Sequence, residues 1–220
     1  MNFKNRLSLP VIQFSPPRTG STLVWNILTE LFPGRRIKKK HSLRKTRLGP
    51  FHLPVVCTVR HPLDAVASCI QCRDLPLTDQ TIDDLIEEFD RLAIQTVLDI
   101  RNDPHVLILK YEQFSADYEF LFDELERFFG ITIGPDQRQI IQKKYNVRQV
   151  KQKTEQMGDF SNWDKENHLH GRHISKFNGA SGYYQQFFSA EQIRRMSLHY
   201  QQYMQVFGYS VEADGSGSSG

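Results

Sequence analysis

A chain of 220 residues with 39% hydrophobic and 24% charged residues has the composition of a globular protein, and this excludes a disordered or fibrous one. A formal net charge of +3 is too small to require a nucleic-acid partner, so none is expected. Three cysteines are too few for a disulfide framework, which favours a reducing compartment and leads us to expect a cytoplasmic location.

The length fits a single domain over residues 1–214. The last residues, GSGSSG at 215–220, read as a flexible linker or expression scar. The N-terminus lacks the apolar core of a signal peptide, and no apolar run reaches the length of a membrane span. We therefore expect no membrane span. Nothing in the sequence indicates the oligomeric state.

Short runs rich in β-branched residues alternate with longer helical patterns, which is typical of βα units around a parallel sheet. We predict strands at Val11–Ser15, Ile37–Lys40, Val55–Val59 and Val106–Lys110. Helices are predicted at Ser21–Leu31, Pro62–Cys72, Ile82–Arg101, Tyr118–Phe129, Asp136–Tyr145 and Ala190–Phe207. From Val150 to Gly182 the pattern is polar and aperiodic, which predicts a functional or mobile loop. The expected fold class is α/β, with three α/β/α layers and a central parallel sheet.

The residues PRTGST follow the first predicted strand and lead into a helix. Backbone N–H groups converge at such a junction, and the helix dipole favours negative charge there. Gly20 permits close approach, Ser21 and Thr22 add hydroxyl groups, and Arg18 beside Thr19 adds a fixed charge. The pattern predicts a phosphate or sulfate site, with a plain capped helix as the structural alternative. A P-loop kinase would need a lysine at position 21.

The basic block Arg35–Arg47 holds eight Lys or Arg residues and overlaps the second predicted strand. Such a block is either a solvated face or an anion-binding patch. It is the feature that a binding module for polyanions would use.

Arg60 ends the third predicted strand, and Ser68 lies two turns into the next helix. An arginine at the carboxyl end of a parallel strand points into the crevice where α/β sheets bind ligands. The two side chains predict a second anion site; the structural alternative is that Arg60 pairs with Asp64 as a cap. Cys69 and Cys72 form a CxxC motif without a second pair, so no metal site is expected.

These two motifs resemble those of sulfotransferases that use 3′-phosphoadenosine 5′-phosphosulfate (PAPS). PRTGST is similar to the 5′-phosphosulfate loop P-[KR]-[ST]-G-[ST]-[ST], and Arg60 with Ser68 eight residues later is similar to the 3′-phosphate motif. The resemblance implies a P-loop NTPase-like sulfotransferase fold, PAPS as co-substrate, no required metal, and in-line transfer to a hydroxyl or amine. The PAPS contacts that it implies are Arg18, Thr19, Gly20, Ser21, Thr22, Arg60 and Ser68.

The resemblance also implies roles for three further residues. Many members carry Lys-x-His where Lys39-Lys40-His41 stands, with the histidine as the base; His41 suits this role because an unperturbed pKa of about 6.5 lies near neutrality. Arg18 does not readily release a proton, so its catalytic role is electrostatic. Lys110-Tyr111-Glu112 resembles the Tyr-Glu-Asp segment and implies that Tyr111 contacts adenine. A surface histidine and a packed tyrosine are the structural alternatives.

Two positions depart from the family pattern. Phe177 and Asn178 stand where Arg-Lys usually precedes Gly179, so the basic clamp on the 3′-phosphate is missing or supplied by another residue, for example Lys176 or Arg172. Leu23 replaces a tryptophan that often stacks on adenine. The alternatives are a sulfotransferase-like protein that binds a nucleotide or polyanion without activity, and a P-loop kinase. The acceptor is a small molecule, sugar, lipid or peptide.

Overall fold

Four short parallel strands form the central sheet. The computed structural model describes residues 9–43 and 53–210 and places the strands at Val11–Phe14 (β1), Ile37–Lys40 (β2), Val55–Val59 (β3) and Val106–Lys110 (β4). Their order is β2-β1-β3-β4. Every residue of β1 and β3 is buried, because these strands lie in the middle of the sheet between layers of helices. The four predicted strands are confirmed, with Ser15 just beyond the end of β1.

The position of β1 in the sheet creates a crevice at the carboxyl ends of the strands. The chain adds β2 on one side of β1 and then returns to add β3 on the other side. Phe14, the last residue of β1, is in register with Lys40 on β2 and with Cys57 on β3. The loops that follow these strands therefore leave the sheet together, at the switch point where open α/β sheets bind ligands.

Helices cover both faces of this sheet. They are α1 Ser21–Leu31, α2 Pro62–Cys72, α3 Asp79–Phe89, α4 Gln95–Ile100, α5 Tyr111–Phe114, α6 Tyr118–Phe129, α7 Pro135–Tyr145, α8 Val147–Glu155, α9 Tyr184–Phe187, α10 Ala190–His199 and α11 Gln201–Phe207. A two-stranded hairpin pairs β5 Trp163–Asp164 with β6 Leu169–His170.

Alternate residues of β3 enter two separate hydrophobic cores. Val55, Cys57 and Val59 pack with residues of α2, α3, α10 and α11, whereas Val56 packs with residues of α1, α6 and α7. Successive side chains of a strand point to opposite faces of the sheet, so this division shows that both faces are covered. The predicted α/β fold with three layers is confirmed. No helix in ranges 9–43 and 53–210 has the length and apolarity to cross a membrane.

Three predictions were wrong in detail. The helix predicted over Ile82–Arg101 starts earlier, at Asp79, and contains a π-helical turn at Asp90–Ile94. The helix predicted over Ala190–Phe207 is interrupted at Tyr200. The predicted loop from Val150 onward begins inside α8 and contains the β5–β6 hairpin. The predicted linker at 215–220 and residues 44–47 of the basic block lie outside the described residues.

Candidate functional site

A cavity of about 300 Å³ opens where β1, β2 and β3 end. Most of the predicted site residues line it, namely Arg18, Gly20, Ser21, Thr22, His41, Arg60, Ser68 and Tyr111. Thr19 is the exception, because its buried hydroxyl donates to the Pro16 carbonyl oxygen at 3.0 Å and lies 2.8 Å from the Thr58 hydroxyl. The side chain of Thr19 thus holds the loop against β3, away from the cavity.

Gly20 sets the path of the loop into α1. Its φ is 81°, in the left-handed region, and a Cβ here would lie 2.7 Å from Cζ of Phe114 and 2.8 Å from Cδ2 of Tyr111. Only glycine meets both demands. No side chain caps the N-terminus of α1, and its first turn has no acidic residue. The first N–H groups and the positive end of the helix dipole thus remain available to an anion at Ser21 and Thr22.

The Arg18 guanidinium links the two predicted anion sites. Its Nε donates to the Ser68 hydroxyl at 3.1 Å, and Nη2 donates to the His173 carbonyl oxygen at 2.5 Å and to Cys72 Sγ at 2.9 Å. Ser68 belongs to α2, so the loop after β1 and the helix after β3 meet at one point. This is the proximity that two sites for one ligand require.

Arg60 is almost fully buried, with 3% of its surface exposed. Its Nη1 donates to the Arg18 carbonyl oxygen at 3.3 Å, and Nη2 donates to the carbonyl oxygens of Gly179 at 3.1 Å and Ala180 at 2.9 Å. The guanidinium also lies 4.2 Å from the centre of the Tyr111 ring. Tyr111 therefore lines the cavity while packing against Arg60, and its contact with adenine stays a prediction.

Asp64 does not cap Arg60 but holds the segment that Arg60 contacts. Its two carboxylate oxygens accept hydrogen bonds from Gly182 N at 2.7 Å and Tyr184 N at 3.1 Å. Burial raises the pKa of Asp64, while the positive charge of Arg60 and the two backbone hydrogen bonds oppose this rise. The residues around Gly179 are thus attached to α2 at two points.

Lys39 and His41 bring two nitrogen groups from the edge strand into the cavity. Lys39 Nζ donates to the Thr22 hydroxyl at 2.5 Å. Burial, with a smaller contribution from Arg18, lowers the pKa of Lys39 to about 8. His41 Nδ1 lies 3.0 Å from the Ser15 carbonyl oxygen. Burial also lowers the pKa of His41, with Lys39 and Arg18 adding to the effect and the Ser15 hydrogen bond opposing it.

Several cavity residues were not identified from the sequence. Lys39 was part of the quoted Lys-Lys-His motif but received no role. Arg73 and Glu88 form a bidentate ion pair in the cavity wall, with N–O distances of 2.7 and 2.8 Å. His170 and His173 come from the aperiodic segment, and burial lowers the pKa of both side chains. No local pattern signals these residues, because the fold brings them together.

The cavity is also lined by a residue of α1 and by residues of the helices that follow β4. Leu23 lies there with Tyr118, Tyr145, Val147 and Val150. Arg172 and Lys176, the residues suggested as replacements for the basic clamp, are exposed and do not line the cavity. Within the described ranges no group of three or more His, Cys, Asp or Glu side chains is arranged to hold a metal ion. Cys57, Cys69 and Cys72 are free thiols.

Comparison with protein families places this fold and cavity in a known group of enzymes. The sulfotransferase domain model matches residues 33–208, which is most of the chain. The chain therefore belongs to the sulfotransferase family. The match begins after the PRTGST loop, so the family model does not cover this loop. The loop is linked to the family only by its resemblance to the 5′-phosphosulfate motif. A comparison with curated proteins finds no match.

Solved structures show the same fold. A mouse sulfotransferase, SULT7A1, was crystallised with 3′-phosphoadenosine 5′-phosphate (PAP). It has 18% identity to this chain and a TM-score of 0.66, and the match covers 90% of this chain and 85% of the mouse chain. A retinol dehydratase in complex with androsterone and PAP has 15% identity and a TM-score of 0.63, covering 93% and 82%. The complex of retinol dehydratase with retinol and PAP gives 16% identity and a TM-score of 0.63, covering 93% and 83%. At these identities the likeness establishes the fold, and the predicted sulfotransferase fold is confirmed.

Proposed function

We propose that this chain transfers a sulfuryl group from PAPS to a hydroxyl or amine acceptor. The observation that carries the proposal is the meeting of two cationic junctions in one cavity: Arg18 lies 3.1 Å from Ser68, and Arg60 lies 3.3 Å from the Arg18 carbonyl oxygen. PAPS carries a phosphosulfate at its 5′ end and a phosphate at its 3′ position, so it offers one anionic group to each junction. Membership of the sulfotransferase family and the PAP-bound relatives support this choice of donor.

The first junction has the groups needed at the reacting end of the donor. The N–H groups of Gly20, Ser21 and Thr22 and the Arg18 guanidinium would stabilise negative charge on the bridging oxygen as its bond to sulfur breaks. Lys39, within hydrogen-bond distance of the Thr22 hydroxyl, would balance the charge of the sulfuryl group. The second junction, with Arg60 and Ser68, would hold the 3′-phosphate. Tyr111 and Leu23, which line the same cavity, would contact the nucleoside.

In this proposal His41 is the general base. When Nδ1 donates its hydrogen to the Ser15 carbonyl oxygen, Nε2 keeps a free lone pair. Because burial lowers the pKa of His41, the side chain is neutral at pH 7 and can take a proton. In the proposed reaction the acceptor oxygen or nitrogen attacks sulfur, its proton passes to His41, and the sulfur–oxygen bond to the 5′-phosphate breaks.

The proposal includes a cytoplasmic location. Buried free thiols at Cys57, Cys69 and Cys72 support a reducing compartment, where such cysteines remain unpaired. The acceptor is a small molecule, sugar, lipid or peptide, and a panel of these classes is part of the test.

The experiment compares ligand binding with transfer in the same preparation. PAP, the 3′,5′-bisphosphate product, should raise the melting temperature, whereas ATP with magnesium should not, because a ligand stabilises the fold that it binds. Radiolabelled PAPS should then label at least one acceptor class. His41→Ala should keep PAP binding but reduce kcat by about 10²-fold or more, as expected for loss of a general base. Arg18→Ala should lose most turnover. Stabilisation by ATP but not PAP would contradict the proposal, as would wild-type turnover in both variants.

A further inference from the structure

Lys151 on α8 brings a positive charge to the segment that Arg60 contacts. Its Nζ donates to the Asn178 side-chain oxygen at 2.7 Å. The next residue, Gly179, accepts a hydrogen bond from Arg60 at 3.1 Å. Val147 and Val150 from the same helix line the cavity together with Gly179. Lys151 therefore contacts the residue next to Gly179, and its helix contributes two residues to the cavity wall.

Tight packing fixes this arrangement. Gly179 has a φ of 76°, and a Cβ at this position would lie 2.2 Å from the Tyr111 hydroxyl oxygen. Asn178 also has a positive φ, 53°, which is uncommon for a residue with a side chain. Tyr111 in turn packs against the Arg60 guanidinium. This packing fixes the position of Asn178, and with it the Lys151 contact, relative to Arg60.

The charge of Lys151 is poorly balanced within the protein. Its carboxylate neighbour, Glu155, lies 4.0 Å away with 60% of its side chain exposed, and such a surface pair contributes little. Its short hydrogen bond goes to a neutral amide. By contrast, Lys153 on the same helix pairs with Asp164 at 3.0 Å. An ammonium group whose partner is neutral gains more free energy from binding an anion than an ammonium group that is already in an ion pair.

The second anion site lacks one charge without Lys151. Arg60 contributes one positive charge and Ser68 a hydroxyl group, whereas Arg18, whose Nε contacts Ser68, is assigned to the phosphosulfate end of the donor. A phosphate monoester carries between about one and a half and two negative charges at pH 7. We propose that Lys151 is the second cation of this site and selects nucleotides that carry a 3′-phosphate. This inference rests on the proposed function. It also explains how the chain could bind a 3′-phosphate although it has Phe177 and Asn178 where the family usually has Arg-Lys.

The test measures binding by calorimetry with two ligands, PAP and adenosine 5′-monophosphate, which differ only in the 3′-phosphate. Lys151→Met should weaken PAP binding about tenfold or more, the loss expected for one charge-assisted hydrogen bond, and should leave monophosphate binding within about twofold. Lys151→Arg should restore most of the PAP affinity. Lys153→Met is the matched control, since it removes the same charge two residues away, and it should bind both ligands like the wild type.

The possible results separate this inference from the proposed function. Wild-type binding of PAP with no selective loss in Lys151→Met would overturn the role of Lys151 and leave the proposed function standing. Equal weakening of both ligands in Lys151→Met would also overturn it, because the 3′-phosphate would then not be involved. If the wild type itself fails to prefer PAP over the monophosphate, the proposed function and the inference fall together.

Discussion

Burial lowers the pKa of both titrating groups that the proposed reaction uses, which favours the required form of His41 but not that of Lys39. It lowers the pKa of His41, which favours the neutral form that a base needs. It also lowers the pKa of Lys39 to about 8, which brings the loss of the ammonium charge close to physiological pH. The proposed reaction needs His41 without its proton and Lys39 with its proton. Both conditions hold together only in a limited pH range.

We therefore expect a bell-shaped pH profile of kcat/KM, which reports groups of the free enzyme. The acid limb should lie below the ordinary histidine pKa of about 6.5, because protonated His41 cannot accept the acceptor proton. The alkaline limb should fall near pH 8 as Lys39 loses its charge. An alcohol acceptor, which does not titrate in this range, avoids confusion with its own ionisation.

Lys39→Arg isolates the alkaline limb. The guanidinium remains charged to well above pH 12, so the fall near pH 8 should disappear while the acid limb stays in place. An alkaline limb that is identical in Lys39→Arg and wild type would show that another group causes it.

The sequence predicts those helices and strands whose residues form a clear local pattern. Apolar runs rich in β-branched residues predicted β1, β3 and β4, and the predicted bounds of α1 and α2 are those of the structure. The π-helical turn at Asp90–Ile94 was missed because it adds a residue to one turn without changing the composition. Helix α8 was missed because Thr154 is its one buried residue, so no apolar periodicity reveals it.

The site residues also divide into those that local sequence predicts and those that only the fold brings together. Arg18, Gly20 and Arg60 were predicted because each lies at a strand–helix junction, where the topology determines its surroundings, and Ser68 because it lies two turns into the helix after Arg60. The contacts of Arg60 with Gly179 and Ala180 join segments more than a hundred residues apart. Such contacts depend on tertiary packing, and no spacing in the sequence predicts them.

Helix α2 holds the segment after residue 178 through Asp64. Replacing Asp64 by Ala leaves two backbone N–H groups without acceptors, that of the partly buried Gly182 and that of the buried Tyr184. We expect this variant to lose about 1–3 kcal/mol of unfolding free energy, the usual cost of unsatisfied buried groups. PAP binding should weaken as well, because Gly179 and Ala180 lie on the released segment.

Urea denaturation and calorimetry on the same samples measure both effects. Asp84→Ala is the matched control: Asp84 is exposed on α3, where it accepts from Gln80, and its loss should cost less than about 0.5 kcal/mol. Equal stability of the two variants would contradict the anchoring role of Asp64.

At the scale of the whole molecule, His61 joins the sheet to the C-terminal part of the chain. It follows Arg60 at the β3–α2 junction and is 7% exposed. Its ring stacks on Tyr184 with 4.5 Å between ring centres and meets Tyr209 edge-on at 5.4 Å. Burial lowers the pKa of His61 to about 4, with Glu112 opposing the shift and Arg60 adding to it.

This lowered pKa makes stability depend on pH in a definite direction. Below pH 6.5 the unfolded chain binds a proton at this histidine while the folded chain does not, so folding becomes less favourable as the pH falls. Stability is complete above pH 6.5 and declines until about pH 4, where the folded protein also takes up the proton. The loss from this one group is on the order of 3 kcal/mol. His41 and His173, whose pKa values burial also lowers, act in the same direction.

His61→Phe keeps an aromatic ring in the same packing but removes the titrating group. We expect its unfolding free energy, measured in urea from pH 7.5 down to pH 4.5, to fall less steeply than that of the wild type. The difference in slope is the informative quantity, because any change in packing shifts the whole curve by a constant amount. Parallel curves for the two proteins would mean that His61 takes up its proton at the same pH in the folded and the unfolded chain. The acid sensitivity would then have to come from the histidines around the cavity, where PAP binding at low pH would report it.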